Sequence, residues 1–251
     1  MFRALIFSNS KNLSKNQYEL LKSYLPQIDN DIITVINYED NNEFKFKNVE
    51  VSLIFESFLY GDYLKIPYTD NSSLVDIGAN IGDTAIYFAN KGYNVYAFEP
   101  LPHICEIAKE NIDLNPRLKD KITFVNKACS CRKGSISIHF NKNDTGGASE
   151  FQNASDSVEI ETVTIREIID EYSIKPDILK IDCEGCEVNI IKYSDLSMFN
   201  QIIMEYHTNI TGVSENILID ILQNQGFNLE SQIKFKNKGM GIIHMVKSNH
   251  E

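Results

Sequence analysis

At 251 residues with 43% apolar content, the chain is long enough to bury a sizeable core, and its composition points to neither disorder nor a membrane span. A net charge of −11, from 24 basic against 35 acidic residues, sets up a field that repels nucleic acid and anionic membrane, so neither is expected as a partner. The N-terminal F-R-A-L-I-F is too short for a signal-peptide core, and a cytoplasmic location is the expectation.

Ser14 is placed to cap a helix whose apolar face is Tyr18, Leu21 and Leu25, stopped by Pro26. The runs I-I-T-V-I (32 to 36) and F-K-F-K-N-V-E-V, joined by the polar E-D-N-N-E, predict a strand pair. No linker follows, so residues 1 to 72 are read as an extension packed on a main domain of residues 73 to 251. The aromatic-rich stretch 53 to 64 reads as core, with Tyr60 or Tyr63 as alternatives for reaching a ligand.

The main domain opens on S-L-V-D-I-G-A-N-I-G-D-T-A-I-Y-F-A, residues 73 to 89. A short apolar strand is cut by Gly78, and helical spacing begins after Gly82, giving strand, tight turn and helix. Glycines let a ligand approach the backbone, and a helix start leaves amides unpaired. A pyrophosphate there would be repelled by Asp76 and Asp83, whereas S-adenosylmethionine brings an ammonium and a sulfonium. Glu99, ending the second strand V-Y-A-F, follows Asp76 at about the 20-residue interval at which an acid meets ribose hydroxyls. The plainer alternative is a Rossmann-like turn bordered by surface acids.

Strand and helix signals alternate from there, the pattern of a parallel α/β sheet. A helix from Pro102 carries Ile104, Ile107, Ala108 and Ile112 on one face, and the third strand is 122 to 126. The polar segment 141 to 150, between S-I-S-I-H-F and V-E-I-E-T-V, is either a hairpin connection or a flap. Thr164 and Glu167 have capping-box spacing for a helix to about Tyr172. The fourth strand is 177 to 182, the fifth 201 to 207, and a helix from Ser214 turns Ile217, Ile221 and Leu222 inward. An antiparallel hairpin around K-N-K-G ends the chain.

Ligands of open α/β sheets gather beyond the C-terminal strand ends, which here carry Asp76, Glu99, Asn126, Asp182 with Glu184, and Glu205 with His207. His207 is a candidate general base oriented by Glu205 or Asp182; alternatively Asp182, Glu205 and His207 hold a divalent cation, or the histidine is structural. Glu187 reads as a helix-end or solvent-facing acid. Five cysteines without an export signal argue against a disulfide framework. Cys129-x-Cys131 and Cys183-x-x-Cys186 fall on opposite sides of the sheet's first two strands, so reduced thiols are expected rather than zinc.

The combination of V-D-I-G-A-N-I-G-D-T-A-I-Y-F-A, Y-A-F-E-P-L-P, N-K-A, L-K-I-D-C-E-G-C-E and M-E-Y-H resembles the FkbM-type S-adenosylmethionine-dependent methyltransferases over about residues 55 to 210. The resemblance implies a class I methyltransferase Rossmann-like fold, a seven-stranded mostly parallel sheet of order 3-2-1-4-5-7-6 with an antiparallel last strand. It implies O-methylation of a small-molecule or sugar hydroxyl. Asp76, Gly78, Ala79, Asn80, Gly82 and Asp83 would line the methionine end of the cofactor, and Glu99 with Pro100 the ribose. Asn126 to Ala128 would lie near the adenine, and Asp182, Glu184, Glu205 and His207 would face the methyl group and its acceptor. A nicotinamide-dependent oxidoreductase is the rival enzyme, without a Tyr-x-x-x-Lys pair to support it; a non-catalytic cofactor-binding module is the other rival. No Asn-Pro-Pro-type motif follows the fourth strand, where amine methylation of bases would place one.

Overall fold

The computed structural model of the protein describes residues 27–29, 31–37, 40–49, 51–58, 66–140, 156–235 and 239–248. The expected helix after Ser14, Tyr60, Tyr63 and the segment 141 to 150 lie outside them. By backbone contacts the chain divides into two units, Met1–Gly61 and Asp62–Glu251, a boundary ahead of residue 73.

In the first unit, β1 (Gln27–Asp29), β2 (Ile32–Ile36) and β3 (Glu43–Lys47) form an antiparallel sheet in that order. Alternation along β2 and β3 puts Ile33, Val35, Phe44 and Phe46 on the buried face. Helix α1 (Val51–Phe58) brings Phe58 within 4.9 Å of the Phe44 ring and 5.7 Å of the Phe46 ring, ring centroid to ring centroid.

The second unit is built on a seven-stranded sheet. Its strands are β4 (Ser73–Ile77), β5 (Asn94–Phe98), β6 (Ile122–Val125), β10 (Pro176–Ile181), β11 (Gln201–His207), β12 (Phe227–Lys234) and β13 (Met240–Lys247). They lie in the order β12-β13-β11-β10-β4-β5-β6, which in chain order is the expected 3-2-1-4-5-7-6. All neighbours from β6 to β11 are parallel, and β13 is antiparallel to both β11 and β12. The central strands are largely apolar on both faces, as a sheet covered by helices requires, with Asp76 in β4 and Lys180 in β10 as buried charges among them.

Helix α2 (Asp83–Asn90) follows β4, and α3 (Pro102–Asp113) follows β5, with Ile104, Ala108 and Ile112 buried. A second, three-stranded sheet joins β7 (Ala128–Cys129), β8 (Gly134–Phe140) and β9 (Asp156–Val163) in the order β7-β9-β8. Helix α4 (Ile165–Glu171) opens on the expected capping box: Thr164 Oγ1 accepts from the Glu167 amide at 3.2 Å, and the Thr164 amide donates to Glu167 Oε2 at 3.0 Å.

Helix α5 (Glu187–Tyr193) follows β10, a single turn α6 (Thr208–Thr211) follows β11, and α7 (Glu215–Asn224) leads to β12. Of the expected inward face of α7, Leu222 is buried and Ile221 packs against the core, but Ile217 needs correction: it is exposed, and Leu218 and Ile219 are buried with Leu222. An i, i+4 pair, Leu218 and Leu222, defines the stripe; Ile217 lies one position, about 100°, around the helix. No described helix is long and apolar enough to cross a membrane.

Because β4, β5, β6, β10 and β11 run the same way, Gly78, Glu99, Asn126, Asp182 and His207 all emerge at one edge of the sheet.

Candidate active site at the strand ends

Gly78 adopts φ 77°, and a Cβ there would stand 1.7 Å from the Asp182 carbonyl oxygen. Only glycine lets the first turn lie against the exit of β10. The amides of Gly78 and Ala79 both donate to the Phe98 carbonyl, at 3.0 and 3.1 Å, and the Gly82 amide closes the turn on the Ala79 carbonyl at 2.9 Å. Gly82 and Asn80 are also left-handed, at φ 81° and 44°. The loop therefore doubles back with its backbone facing the sheet edge, and Asp83 heads α2 as a buried acid.

Glu99 locks this turn to the second strand. Its Oε2 accepts from the Asn80 amide at 3.1 Å and its Oε1 from the Leu101 amide at 3.0 Å. Burial pushes the Glu99 carboxyl up to about 7, against the pull of those two amides and of Lys180. Asn126 donates from Nδ2 to the carbonyls of Glu99 (2.9 Å) and Pro100 (2.7 Å), tying the third strand end to the second. Ala128 is buried in β7. The buried side-chain oxygen of Asn80 has no hydrogen-bond partner among the described residues. A glycine turn, an orphaned amide oxygen on Asn80 and the Glu99 carboxylate therefore stand together at the strand ends, polar groups of a kind that suits the hydroxyls and ammonium of S-adenosylmethionine.

Lys180 is the functional residue that motif reading passes over. In the parallel register of β10 with β4 it stands beside Asp76, and its Nζ lies 3.0 Å from Asp76 Oδ1 and 3.8 Å from Asp182 Oδ2. The ammonium also donates to the Gly78 carbonyl at 3.0 Å. Asp76 is fully buried, and Thr84 Oγ1 donates to its other oxygen at 2.6 Å. Burial opposes the charge on Lys180, but the carboxylates of Asp76 and Asp182 outweigh it and hold its pKa above the ordinary lysine range. Asp76 thus acts through Lys180 to fix the glycine turn. A lysine inside the apolar run D-I-L-K-I-D was the available signal, since a buried ammonium calls for a carboxylate on a neighbouring strand.

Beyond the cradle lies a cluster of acids around His207, which is 1% exposed. Its Nδ1 is 3.4 Å from Glu187 Oε1, and its Nε2 is 3.6 Å from Glu184 Oε2 and 3.7 Å from Glu205 Oε1. Neither ring nitrogen makes a well-aligned hydrogen bond among the described residues. Burial lowers the imidazole pKa, yet contact with Glu187 and the charges of Asp182 and Glu184 outweigh it and raise it to about 9. One potential ligand atom from each of Asp182, Glu205 and His207 lies within 4.8 Å of the others. Such a mixed nitrogen and oxygen set can take a hard or borderline divalent cation.

Of the two expectations for Glu187, the helix-end acid holds and the solvent-facing one is corrected. Glu187 is fully buried at the start of α5, accepting from the Gly185 amide at 2.8 Å and the His207 amide at 3.0 Å. A solvent-facing acid would have no such donors; this one braces the β10 exit against the end of β11. The thiol expectation is corrected as well: Cys183 and Cys186 are disulfide-bonded, with Cα atoms 5.5 Å apart, a separation that suits a disulfide. Cys105, Cys129 and Cys131 are free, the first two buried.

The model of the FkbM methyltransferase domain matches residues 76–229, most of the chain. The hexuronic acid methyltransferase AglP of Haloferax volcanii is 28% identical over 144 residues, 56% of this chain and 58% of AglP, so the chain matches little more than half of that relative's length. The methyltransferase sdnD of Sordaria araneosa is 23% identical over 223 residues, covering 75% of this chain and 80% of sdnD. Among solved structures, a putative rRNA-methylase from Clostridium thermocellum superposes with a TM-score of 0.50 at 12% identity, over 81% of this chain and 99% of that one, a likeness of fold. With the glycine turn, the strand-two acid and the I-D-C-E-G-C-E exit inside the matched span, the chain belongs to the FkbM methyltransferase family.

Proposed function

We propose that the protein transfers the methyl group of S-adenosylmethionine to a hydroxyl oxygen of a small molecule, with a sugar or sugar acid as the acceptor class. The observation that carries this reading is the convergence of Asp182, Glu205 and His207 at the strand ends, next to the glycine turn and Glu99. Methyl transfer is an in-line displacement, so alignment of a sufficiently nucleophilic oxygen with the sulfonium methyl is what the protein must supply. Carboxylates accept hydrogen bonds from hydroxyls, which suits a polyol and orients the attacking oxygen.

The same three side chains fit a divalent cation, whose chemistry when bound is to lower the pKa of a coordinated hydroxyl. Asp182, Glu205 and His207 would hold it, Glu187 would fix the imidazole from behind, and Lys180 would keep Asp182 in place from the cofactor side. The buried ring nitrogens of His207, set among acids without aligned hydrogen bonds, support this over an unassisted imidazole base. The hexuronic acid named for AglP adds support for a sugar acid, since its carboxylate would need a cation to approach an acidic site.

The test is formation of S-adenosylhomocysteine from S-adenosylmethionine with a panel of hexuronic acids, neutral glycosides and other hydroxylated metabolites, with and without magnesium or manganese. Turnover on a hydroxylated acceptor, lost in Asp182→Asn and His207→Ala while cofactor binding persists, is the expected result. Turnover on RNA alone, or methylation only of an amine, would overturn the reading.

A further inference from the structure

The disulfide lies inside the proposed site, in the turn that leads from Asp182 to α5. It closes the four-residue ring Cys183-Glu184-Gly185-Cys186, and both middle residues are left-handed, Glu184 at φ 52° and Gly185 at φ 111°. For glycine that costs nothing special. For a glutamate it is an uncommon conformation, one that persists where the surroundings impose it. In this conformation the Glu184 carboxylate reaches to 3.6 Å from His207 Nε2. The ring is further held by the Cys186 amide donating to the Cys183 carbonyl at 3.3 Å and the Gly185 amide donating to Glu187.

Both sulfur-bearing residues are partly exposed, and in this respect they differ from the buried Cys105 and Cys129. Burial pushes the Cys105 thiol up to about 12 and that of Cys129 higher still, which keeps both inert as nucleophiles.

We propose that Cys183 and Cys186 form a thiol–disulfide exchange site whose partner is a dithiol, and that its oxidation state sets whether Glu184 stands against His207. In the opening reaction a thiolate of the external dithiol attacks one sulfur of the pair. A mixed disulfide forms and the other cysteine leaves as a thiolate. The second thiol of the reagent then displaces the remaining sulfur. Two electrons and two protons pass to the pair, and the reagent leaves as its own disulfide. With the ring open, Glu184 is free to leave the left-handed region, withdrawing one carboxylate from the acceptor side while the cofactor cradle, held by Lys180 and Glu99, is untouched. The exchange site stands on the loop geometry alone; its effect on methyl transfer rests on the function proposed above.

The experiment combines labelling, hydrogen exchange and binding on the full chain. Alkylation with N-ethylmaleimide in denaturant should add three labels without reductant and five after treatment with a dithiol. Under native conditions the same reduction should speed amide exchange at Gly185 and Cys186 at least tenfold, and the affinity for S-adenosylhomocysteine should change less than threefold. Cys183→Ser and Cys186→Ser should show the fast exchange with or without reductant, and Cys131→Ser should behave as the wild type. Five labels before reduction, or exchange at Gly185 and Cys186 that reduction does not alter, would overturn the proposal. A cofactor affinity that falls tenfold on reduction would overturn its placement on the acceptor side. Failure to bind S-adenosylhomocysteine in either state would count against the methyltransferase reading, while labelling and exchange would still decide the redox site.

Discussion

Replacing Lys180 with methionine keeps the length of the side chain and removes its charge. Asp76 is then a fully buried carboxylate whose remaining donor is the Thr84 hydroxyl, and the Gly78 carbonyl loses its 3.0 Å donor. Breaking a buried ion pair by removing one partner costs about 3–5 kcal/mol, because the surviving charge is stranded. For a chain of this length each kcal/mol lowers the midpoint by about 2–4 °C, so Lys180→Met should melt roughly 6–20 °C below the wild type. The stranded acid should take up a proton, its folded pKa rising above the unfolded value. Stability relative to the wild type is then retained at low pH and lost as pH rises, so the deficit is smaller near pH 5 than at pH 8. The double variant Asp76→Asn with Lys180→Met removes both charges and should recover at least about 2 kcal/mol of the single-variant loss as a coupling energy. Urea unfolding of the four proteins, followed by circular dichroism at two pH values, measures each quantity. A Lys180→Met loss under about 1 kcal/mol, independent of pH and additive with Asp76→Asn, would refute the assignment of Lys180 as the clamp of the glycine turn.

Glu99 gives a pH dependence of its own. Its carboxyl is raised to about 7, and the ribose-binding role proposed for it requires the ionised form. Affinity for S-adenosylhomocysteine should therefore rise about tenfold from pH 6 to pH 8, and Glu99→Gln should flatten the profile in calorimetry. In the free protein the sign reverses: a raised carboxyl pKa gives stability that is full below about pH 4.5 and lost as pH climbs through 7, so the unliganded wild type should lose stability over that interval relative to Glu99→Gln. Gly78→Ala should fail to give soluble folded protein, because its Cβ would overlap the Asp182 carbonyl; Gly212→Ala, also left-handed but with nothing within 4 Å, should cost only about 1–2 kcal/mol. Thr164→Ala removes the hydroxyl of the capping box and should cost about 1 kcal/mol in urea unfolding, with no change in cofactor affinity.

The features legible in the sequence are those in which residue type and strand position coincide. Asp76, Glu99, Asn126 and Asp182 end or adjoin apolar runs, and parallel strands bring such ends to one edge, so the sheet order and the gathering of these residues at that edge could be read together. Lys180 escaped because its meaning is set by register: nothing in D-I-L-K-I-D names Asp76, about a hundred residues earlier, as its neighbour. Glu187 escaped for a related reason. A first-turn acid is usually a solvated cap, and only the return of β11 beside β10 supplies the His207 amide that buries it. For Cys183 and Cys186, inference from compartment and cysteine count argued for reduced thiols, whereas a turn with two left-handed residues brings positions three apart within bonding distance. On α7 the error was confined to Ile217, which lies about 100° from Leu218 and is exposed, while Leu222 is buried and Ile221 packs against the core as expected; an apolar run of I-L-I-D-I-L leaves that choice open.

Isothermal titration of the purified protein with S-adenosylhomocysteine, and in parallel with NAD, tests the cofactor assignment most directly. One equivalent of S-adenosylhomocysteine should bind, with NAD producing no heat of binding and Glu99→Ala abolishing the signal. Binding of NAD in its place, or saturable S-adenosylhomocysteine binding indifferent to Glu99→Ala, would contradict the assignment of the turn from Asp76 to Asp83 as the methyl donor's cradle.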